Sequence, residues 1–81
     1  MKVKKRNGEL QDFDFNKIQR AVMKAFAECG VKLTEDEEFD LFHAINARIP
    51  DLEKDGVVDL EDIQNLNESQ LMFWGYYDVA K

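Results

Sequence analysis

Three cations near the start of the chain, Lys5, Arg6 and Lys17, are the side chains best suited to chemistry. Lys5 and Arg6 lead into an Asn7-Gly8 pair, and Lys17 falls in the first turn of the helix predicted next. A helix dipole disfavours cations in a first turn, so a lysine there makes sense if an anion lies beside it. Backbone N–H groups at the helix start would donate to the same anion. On charge alone, a solvated basic hairpin explains these residues equally well.

Charge is divided unevenly along the sequence, whose net charge is −6. Residues 1–24 hold seven basic and three acidic side chains, a balance of +4. Residues 25–81 hold four basic and fourteen acidic side chains, a balance of −10. Duplex DNA requires a broad basic face, so we expect no nucleic-acid partner. A local basic end suits a compact anion such as a few phosphates.

The length of 81 residues is enough for one small domain. Its single cysteine, Cys29, can form no internal disulfide, and there is no CxxC pair for zinc. A reducing, cytoplasmic location fits this composition best. No stretch approaches the roughly 18 apolar residues of a membrane span, so we expect no membrane partner.

Catalysis has little support in the sequence. The single histidine, His43, has no serine or cysteine partner at a motif spacing, and Cys29 falls on the apolar stripe of the first helix. A partly exposed helical histidine and a core cysteine are the simpler interpretation, and we expect no catalytic residues. Glycine-rich phosphate loops of the P-loop or Rossmann kind are absent.

A calcium site is one alternative hypothesis. The segment 51–62 places acids at positions 1, 3, 5, 9 and 12 of an EF-hand-like loop, with Gly56 at position 6. Against it, the twelfth position is Asp62 rather than a longer glutamate, and Pro50 abuts the loop. An acidic turn in which Asp59 caps a helix explains the same residues, so we expect no metal ligands.

A second alternative is a protein-interaction domain with exposed Trp74, Tyr76 and Tyr77; these rings would otherwise pack against a fourth helix.

The pattern predicts a hairpin and then helices. Strands are expected at 2–6 and 9–13, because Asn-Gly between extended segments favours a tight turn, since both residues tolerate a positive φ. The first helix begins near Asp14 or Asn16 and ends before Gly30. Its apolar stripe runs through Ile18, Ala21, Val22, Ala25, Phe26 and Cys29.

The second helix begins with a capping box, Thr34 with Glu37, and ends at Pro50. Its predicted buried residues are Phe39, Leu41, Phe42, Ala44, Ile45 and Ile49. Val57-Val58 predicts a third strand, and the side chain of Asp59 is expected to cap the third helix. The predicted buried residues of that helix are Ile63, Leu66, Gln70, Leu71 and Phe73. Residues 76–81 predict the first turn of a fourth helix.

This order predicts an α+β fold that is mainly α, in which a small three-stranded antiparallel sheet caps a helical bundle whose fourth helix is truncated. We expect residues 1–81 to form a single regulatory domain, the N-terminal fragment of a longer enzyme.

Several motifs together resemble the ATP-cone family. They are Lys5-Arg6-Asn7-Gly8, Phe13-Asp14, Lys17-Ile18, Asp55-Gly56-Val57, Ile63-Gln64 and Gly75-Tyr76-Tyr77-Asp78-Val79-Ala80-Lys81. The resemblance covers nearly the whole chain. It implies a four-helix bundle capped by a three-stranded sheet, as found at the N-terminus of ribonucleotide reductases and in a repressor of reductase genes. The repressor carries a zinc ribbon, so the missing cysteine pair favours a reductase, with the anaerobic ribonucleoside-triphosphate class slightly more similar.

The resemblance implies an allosteric switch without a catalytic site of its own. ATP would favour an active parent enzyme and dATP an inactive, cone-mediated oligomer, with magnesium accompanying the nucleotide. The catalytic domain of the parent reductase would be the partner.

Carried over by motif, the implied nucleotide site has three parts. Lys5, Arg6 and Lys17 would meet the phosphates. Val3, Gln11, Phe13 and Asp14 would surround the adenine, with Ile18 as an apolar wall, and Leu60, Ile63 and Gln64 would face the ribose. The sequence departs from the family pattern at Gln11, often Glu, at Asn7, usually Asp, and at Asp12, where many members have Pro. The basic contacts that the family draws from its fourth helix lie beyond Lys81.

Overall fold

Three short strands lie over four helices in the computed structural model of the chain, which describes residues 1–80. The strands are β1 (Lys2–Lys4), β2 (Leu10–Asp12) and β3 (Val57–Asp59). The helices are α1 (Phe15–Glu28), α2 (Glu35–Arg48), α3 (Leu60–Phe73) and α4 (Tyr77–Ala80), with a 3₁₀ helix at Ile49–Leu52. The predicted α+β fold is confirmed, and the first two strands are shorter than expected. No described helix has the length and apolar character needed to cross a membrane.

The turn between β1 and β2 holds one residue in the left-handed region rather than two. Gly8 has φ +85°, whereas Asn7 is not among the residues with positive φ. Gly8 N–H donates to Lys5 O at 2.9 Å, and Lys5 N–H donates to Glu9 O at 2.8 Å. These bonds define a three-residue loop, a type I turn followed by a glycine bulge. The side chain of Asn7 instead accepts from Glu9 N–H at 3.0 Å, which fixes the turn locally.

The sheet is mixed, so the expected antiparallel arrangement is wrong for its third strand. Strand order is β2-β1-β3; β1 pairs antiparallel with β2 and parallel with β3. Strand β2, helices α1 and α2 and the 3₁₀ helix separate β1 from β3 along the chain, and β3 runs in the same direction as β1. Consequently the last residue of β1 and the start of α3, which follows β3 directly, lie at the same end of the strands.

Helix α1 is bounded as predicted. Asp14 is the N-cap and accepts from Asn16 N–H at 3.0 Å. At the other end Gly30 has φ +69°, and Val31 N–H donates to Phe26 O at 3.0 Å, a Schellman motif. Cys29 was expected in the core, but it is exposed because it lies at the C-cap, where the chain turns away.

Helix α2 carries the predicted capping box. Glu37 N–H donates to Thr34 Oγ1 at 3.1 Å, and Thr34 N–H donates to Glu37 Oε1 at 3.0 Å. Of the predicted buried residues, Phe39 is 68% exposed. At 3.6 residues per turn it lies roughly 100° from the centre of the buried stripe.

Helix α3 begins after Asp59, which is the N-cap but makes no side-chain capping bond. Phe73, predicted to be buried, is 80% exposed, since it ends the helix at the edge of the buried stripe. Helix α4 confirms the predicted fourth element over residues 77–80, while Lys81 lies outside the described residues.

One core holds the helices together. Its fully buried members are Val22, Phe26, Leu41, Phe42, Ile45, Ile49, Leu71 and Val79. Tyr76 packs edge-to-face on Phe26, with ring centroids 5.0 Å apart, and anchors the start of α4. Val58 and Ile63 are buried outside this cluster, where β3 leads into α3.

Candidate functional site

The inner face of the sheet is defined by the row Gln11–Val3–Val58. Val3 pairs with Gln11 on one side and with Val58 on the other, and paired residues point to the same face. Val58 is fully buried, and its two row partners are partly buried. Residues flanking this row, such as Lys4 and Leu10, are exposed on the opposite face.

Lys5 and Phe13 continue the inner face. Each lies two residues beyond a member of the buried row, Lys5 after Val3 and Phe13 after Gln11, and each is partly buried. Phe13 N–H donates to Met1 O at 3.1 Å, which extends the pairing of the hairpin beyond the strands. Four of the predicted site residues therefore share one face of the sheet.

Two helices begin beside this face. Helix α1 follows β2 after two residues, with Asp14 as its cap and Lys17 exposed in its first turn. Helix α3 follows β3 directly, and its first residue, Leu60, comes after Asp59, the pairing partner of Lys4. The β-hairpin turn and the start of α3 are thus neighbours, as the parallel pairing of β1 with β3 requires.

Gln64 faces helix α1. It lines a cleft of about 210 Å³ together with Ala21, four residues after Lys17. Residues four apart lie on the same face of a helix, so Lys17 is one turn from this contact. Gln64 of α3 and Ala21 of α1, from distant parts of the sequence, therefore line one cleft, and Lys17 lies one helical turn before Ala21.

Asn67 is a polar residue that the sequence analysis missed. Its Oδ1 atom is buried and has no hydrogen-bond partner among the described residues, and it lines the same cleft as Gln64. Buried carbonyl oxygens are nearly always paired, so this atom is an exception. One feature of the sequence could have identified Asn67: it follows Ile63 by four residues, so its amide falls on the apolar face of the helix.

Cations at the site lack carboxylate partners. Within residues 1–80 the one salt bridge joins Lys2 to Asp12 on the outer face of the sheet. The hydrogen bond from Lys2, with its charge, holds the pKa of Asp12 below its usual range, and Lys17 contributes more weakly. Lys5, Arg6 and Lys17 have no carboxylate within 4.0 Å among the described residues.

The predicted site residues differ in accessibility. Arg6, Lys17 and Gln64 are exposed, whereas Ile63 is only 2% exposed. The others are partly buried; they are Val3, Lys5, Gln11, Phe13, Asp14, Ile18 and Leu60. Ile18 packs against the core, whereas Ile63 is buried outside that cluster. A separate cleft of about 510 Å³ between α1 and α2 is lined by none of these eleven residues.

The calcium alternative gains no support. Asp51 lies in the 3₁₀ helix, Asp55 and Gly56 form a turn with φ of 52° and 79°, and Asp59 ends β3. Among residues 1–80 no three His, Cys, Asp or Glu side chains are grouped as metal ligands.

The aromatic alternative divides into two parts. Trp74 and Tyr77 are 42% and 60% exposed. Tyr76 is partly buried, and its hydroxyl donates to Glu37 Oε2 at 3.3 Å. Burial and the nearby Glu37 charge raise the pKa of Tyr76. Tyr76 is therefore a structural residue, whereas Trp74 and Tyr77 remain available for contacts.

A small mixed sheet over a helical bundle, with cations that lack carboxylate partners near the starts of two helices, is the kind of arrangement that suits a compact anionic ligand. The comparison with known families agrees with such a ligand. The chain belongs to the ATP-cone family: the ATP cone domain matches residues 1–81. At the level of the family, this is a nucleotide-binding regulatory domain.

One curated relative is the ribonucleoside-diphosphate reductase subunit alpha of Chlamydia pneumoniae. The two sequences are 37% identical over an alignment of 83 residues, which covers 95% of this chain and 8% of that relative. The chain thus spans a small part of the relative's length. Since the relative is a diphosphate reductase, it adds no support to the expected similarity with the triphosphate class.

Proposed function

We propose that this chain is the allosteric domain that controls the overall activity of a ribonucleotide reductase by binding ATP or dATP. Membership of the ATP-cone family and the similarity to a reductase alpha subunit support the proposal. The domain would be the N-terminal regulatory unit, residues 1–81, of a longer cytoplasmic enzyme. Its partner would be the catalytic domain of that enzyme, with no nucleic acid or membrane involved.

The observation that carries the proposal is the position of Lys5. It is partly buried on the inner face of the sheet, yet it has no carboxylate partner among the described residues. A lysine whose aliphatic stem packs against the sheet holds its ammonium group near that face, where it can meet an anion. Phosphate oxygens would supply that negative charge, and Arg6 and Lys17 would complete the cluster.

The other residues would surround the nucleoside. Gln11 and Asp14 offer acceptors to the adenine amino group, with Val3, Phe13 and Ile18 as apolar surroundings. Leu60, Ile63 and Gln64 would face the ribose at the start of α3. Magnesium would arrive on the phosphate oxygens of the nucleotide, which are its usual ligands in such complexes.

Control would follow from differential affinity rather than from chemistry. An effector shifts an equilibrium only by the difference in its affinity for the two states. The domain would bind nucleotide without turnover, and the oligomer favoured by dATP would be the inactive state. ATP and dATP differ by one hydroxyl, so they would be distinguished either by a polar group near the 2′ or 3′ carbon, for which Gln64 is our candidate, or by how the ribose seats the base.

Calorimetry of the chain with ATP and with dATP, each with and without magnesium, tests the proposal. Amide chemical shifts during the same titration locate the site. We expect saturable binding and shifts concentrated around Lys5, Arg6 and Lys17. Absence of heat and of shifts at millimolar nucleotide would overturn the proposal for this chain.

A further inference from the structure

Helix α2 carries a second set of residues with helical spacing, in addition to the set that it buries in the core. The spacing is i, i+3, i+4, i+7, i+8 and i+11, which places its members on one face of the helix. They are Glu35, Glu38, Phe39, Phe42, His43 and Asn46, and all six line the cleft of about 510 Å³ between α1 and α2. At about 1.5 Å per residue, the row from Glu35 to Asn46 extends over roughly 16 Å. We call this concave surface the α1–α2 cleft.

The carboxylates of the α1–α2 cleft are held in place but are not neutralised. Glu38 is partly buried, and its Oε1 accepts from the side-chain amide of Gln19 at 3.3 Å across the helix pair. Neither Glu35 nor Glu38 forms a salt bridge among residues 1–80, and no described lysine or arginine lines the cleft. The first turn of α2 consists of four acidic residues, whose charge outweighs the roughly half positive charge of the helix dipole. This end of the cleft is therefore negative.

Aromatic rings lie next to these carboxylates. Phe39 is 68% exposed and stacks on His43, with ring centroids 5.7 Å apart and planes 10° from parallel. On the α1 side, Phe15 is partly buried and packs edge-to-face on Phe42, with ring centroids 6.3 Å apart. Because Phe39 is exposed and lines the cleft, part of its ring surface is open to a ligand there, and the face of a phenyl ring attracts a cation.

Two carboxylates beside an open phenyl ring favour one class of ligand. A planar guanidinium or amidinium group pairs with a carboxylate through two parallel N–H donors and also stacks flat on an aromatic ring. An anion would be repelled by Glu35 and Glu38, and a compact ammonium ion lacks the planar shape. Among residues 1–80 no three acidic, histidine or cysteine side chains are grouped for a metal ion. The volume of the cleft lies in the range of small-molecule sites.

We propose that the α1–α2 cleft binds a small organic cation whose charged group is a planar guanidinium or amidinium. The charged group pairs with Glu38 and Glu35 and stacks on Phe39, and the body of the ligand extends past Phe15 towards Asn46. None of the residues that line the cleft belongs to the proposed nucleotide site. Binding of the cation therefore requires no nucleotide, and either site can fail its own test while the other passes.

Titration of the isotopically labelled chain with benzamidine, followed by amide chemical shifts without nucleotide, tests the proposal. We expect saturable shifts concentrated at Gln19, Glu38 and Phe39. Benzamide has nearly the same shape without the charge, and benzoate carries the opposite charge. Both should bind at least about tenfold more weakly than benzamidine, because they lose the pairing with the carboxylates. Equal binding of benzamidine and benzamide, or shifts located elsewhere, would overturn the proposal.

Variants of the cleft test which side chains hold the cation. Glu38→Gln and Glu35→Gln, which keep an acceptor but remove the charge, should each weaken benzamidine binding at least about fivefold. Phe39→Ala should weaken it as well, with circular dichroism confirming that each variant is folded. Glu53→Gln makes the same charge change on an exposed residue outside the cleft and should alter affinity less than about twofold. Native affinity in all three cleft variants, or an equal loss in Glu53→Gln, would overturn the proposal.

The source of the cation is tested with one guanidinium in two forms. Butylguanidine is a free small molecule, whereas a capped tripeptide with a central arginine presents the same group on a peptide. We expect butylguanidine to bind at least as tightly as the tripeptide, with shifts at the same amides. Binding of the tripeptide alone would overturn the small-molecule site and indicate a docking surface for an arginine of another protein.

Discussion

Glu37 and Tyr76, 39 residues apart in sequence, are joined by a hydrogen bond of 3.3 Å from the tyrosine hydroxyl to the carboxylate. The other carboxylate oxygen accepts from Thr34 N–H, so one side chain closes the capping box of α2 and holds the segment leading into α4. Tyr76 also packs on Phe26 of α1. Three helices are thus tied together at one end of the bundle, away from the sheet.

Removing the hydroxyl of Tyr76 should weaken this link modestly. Tyr76→Phe should lower the free energy of unfolding by about 0.5 kcal/mol, the low end for a hydrogen bond because this one is long and partly hydrated. Tyr76→Ala should cost about 2 kcal/mol through the lost ring contact. Urea denaturation measures both, and Tyr77→Phe, which changes an exposed tyrosine, should have no effect. An equal loss in Tyr77→Phe would contradict the assignment.

Stability should fall in acid, and Glu37 should account for part of the fall. Hydrogen bonds, first from Thr34 N–H, hold the pKa of Glu37 below its ordinary value of 4.5. A lowered pKa means that the unfolded state binds the proton more tightly, so this stabilisation is present above pH 4.5 and disappears below it. The urea midpoint, followed from pH 7 to pH 3, should decline less steeply in Glu37→Gln, which retains an acceptor but does not titrate. An equally steep decline of the urea midpoint in the native chain and in Glu37→Gln would refute the contribution of Glu37 to acid sensitivity.

Local signals in the sequence predicted local structure well. The capping box at Thr34 and the glycine cap at Gly30 depend on a few neighbouring residues, and both form as predicted. The parallel pairing of β3 depends on the path of two intervening helices, which no local pattern contains. Phe39 was placed in the core because its spacing from Phe42 suits a helix face, but that spacing also suits the edge of the stripe.

Residue patterns alone predicted less of the candidate site than of the fold. Lys5, Arg6 and Lys17 were indicated by charge as well as by the family resemblance, the other eight residues came from the resemblance, and contact of all eleven with nucleotide stays a prediction. Once Val3 and Gln11 are known to lie in the buried row, the alternation of side chains along the strands places Lys5 and Phe13 on the same face of the sheet. The shared cleft of Ala21 and Gln64 depends on how α1 and α3 are placed in the bundle, which the sequence does not encode locally.

A specific phosphate contact should distinguish Lys5 from other lysines. Lys5→Ala should weaken ATP binding about tenfold or more, the usual effect of losing a charge-assisted hydrogen bond. Lys24→Ala removes the same charge from an exposed position of α1 and should change affinity less than about twofold. Calorimetry at constant ionic strength compares the two variants. Equal losses would indicate non-specific attraction to the basic end of the chain.

Discrimination between ATP and dATP should depend on Gln64. Gln64→Leu keeps an apolar side chain of similar bulk but removes the polar amide, so the ratio of the two dissociation constants should move towards one. The loss of affinity should be larger for the nucleotide that the native chain prefers. Competition binding with both nucleotides measures the ratio, and Asn65→Leu, which removes an exposed amide of α3 that is not among the proposed site residues, is the control. An unchanged ratio in Gln64→Leu would assign discrimination to another residue.

Replacing Asn67 should stabilise the domain without nucleotide. Its buried Oδ1 has no hydrogen-bond partner among the described residues, and apolar Val22 and Leu71 line the same cleft. Asn67→Leu removes the unpaired oxygen and adds apolar contact, so the free energy of unfolding should rise by about 1 kcal/mol. Asn65→Leu, an exposed position two residues earlier on α3, should leave it unchanged. Urea denaturation compares the two, and destabilisation by Asn67→Leu would indicate that a bound water or ligand satisfies the amide in solution.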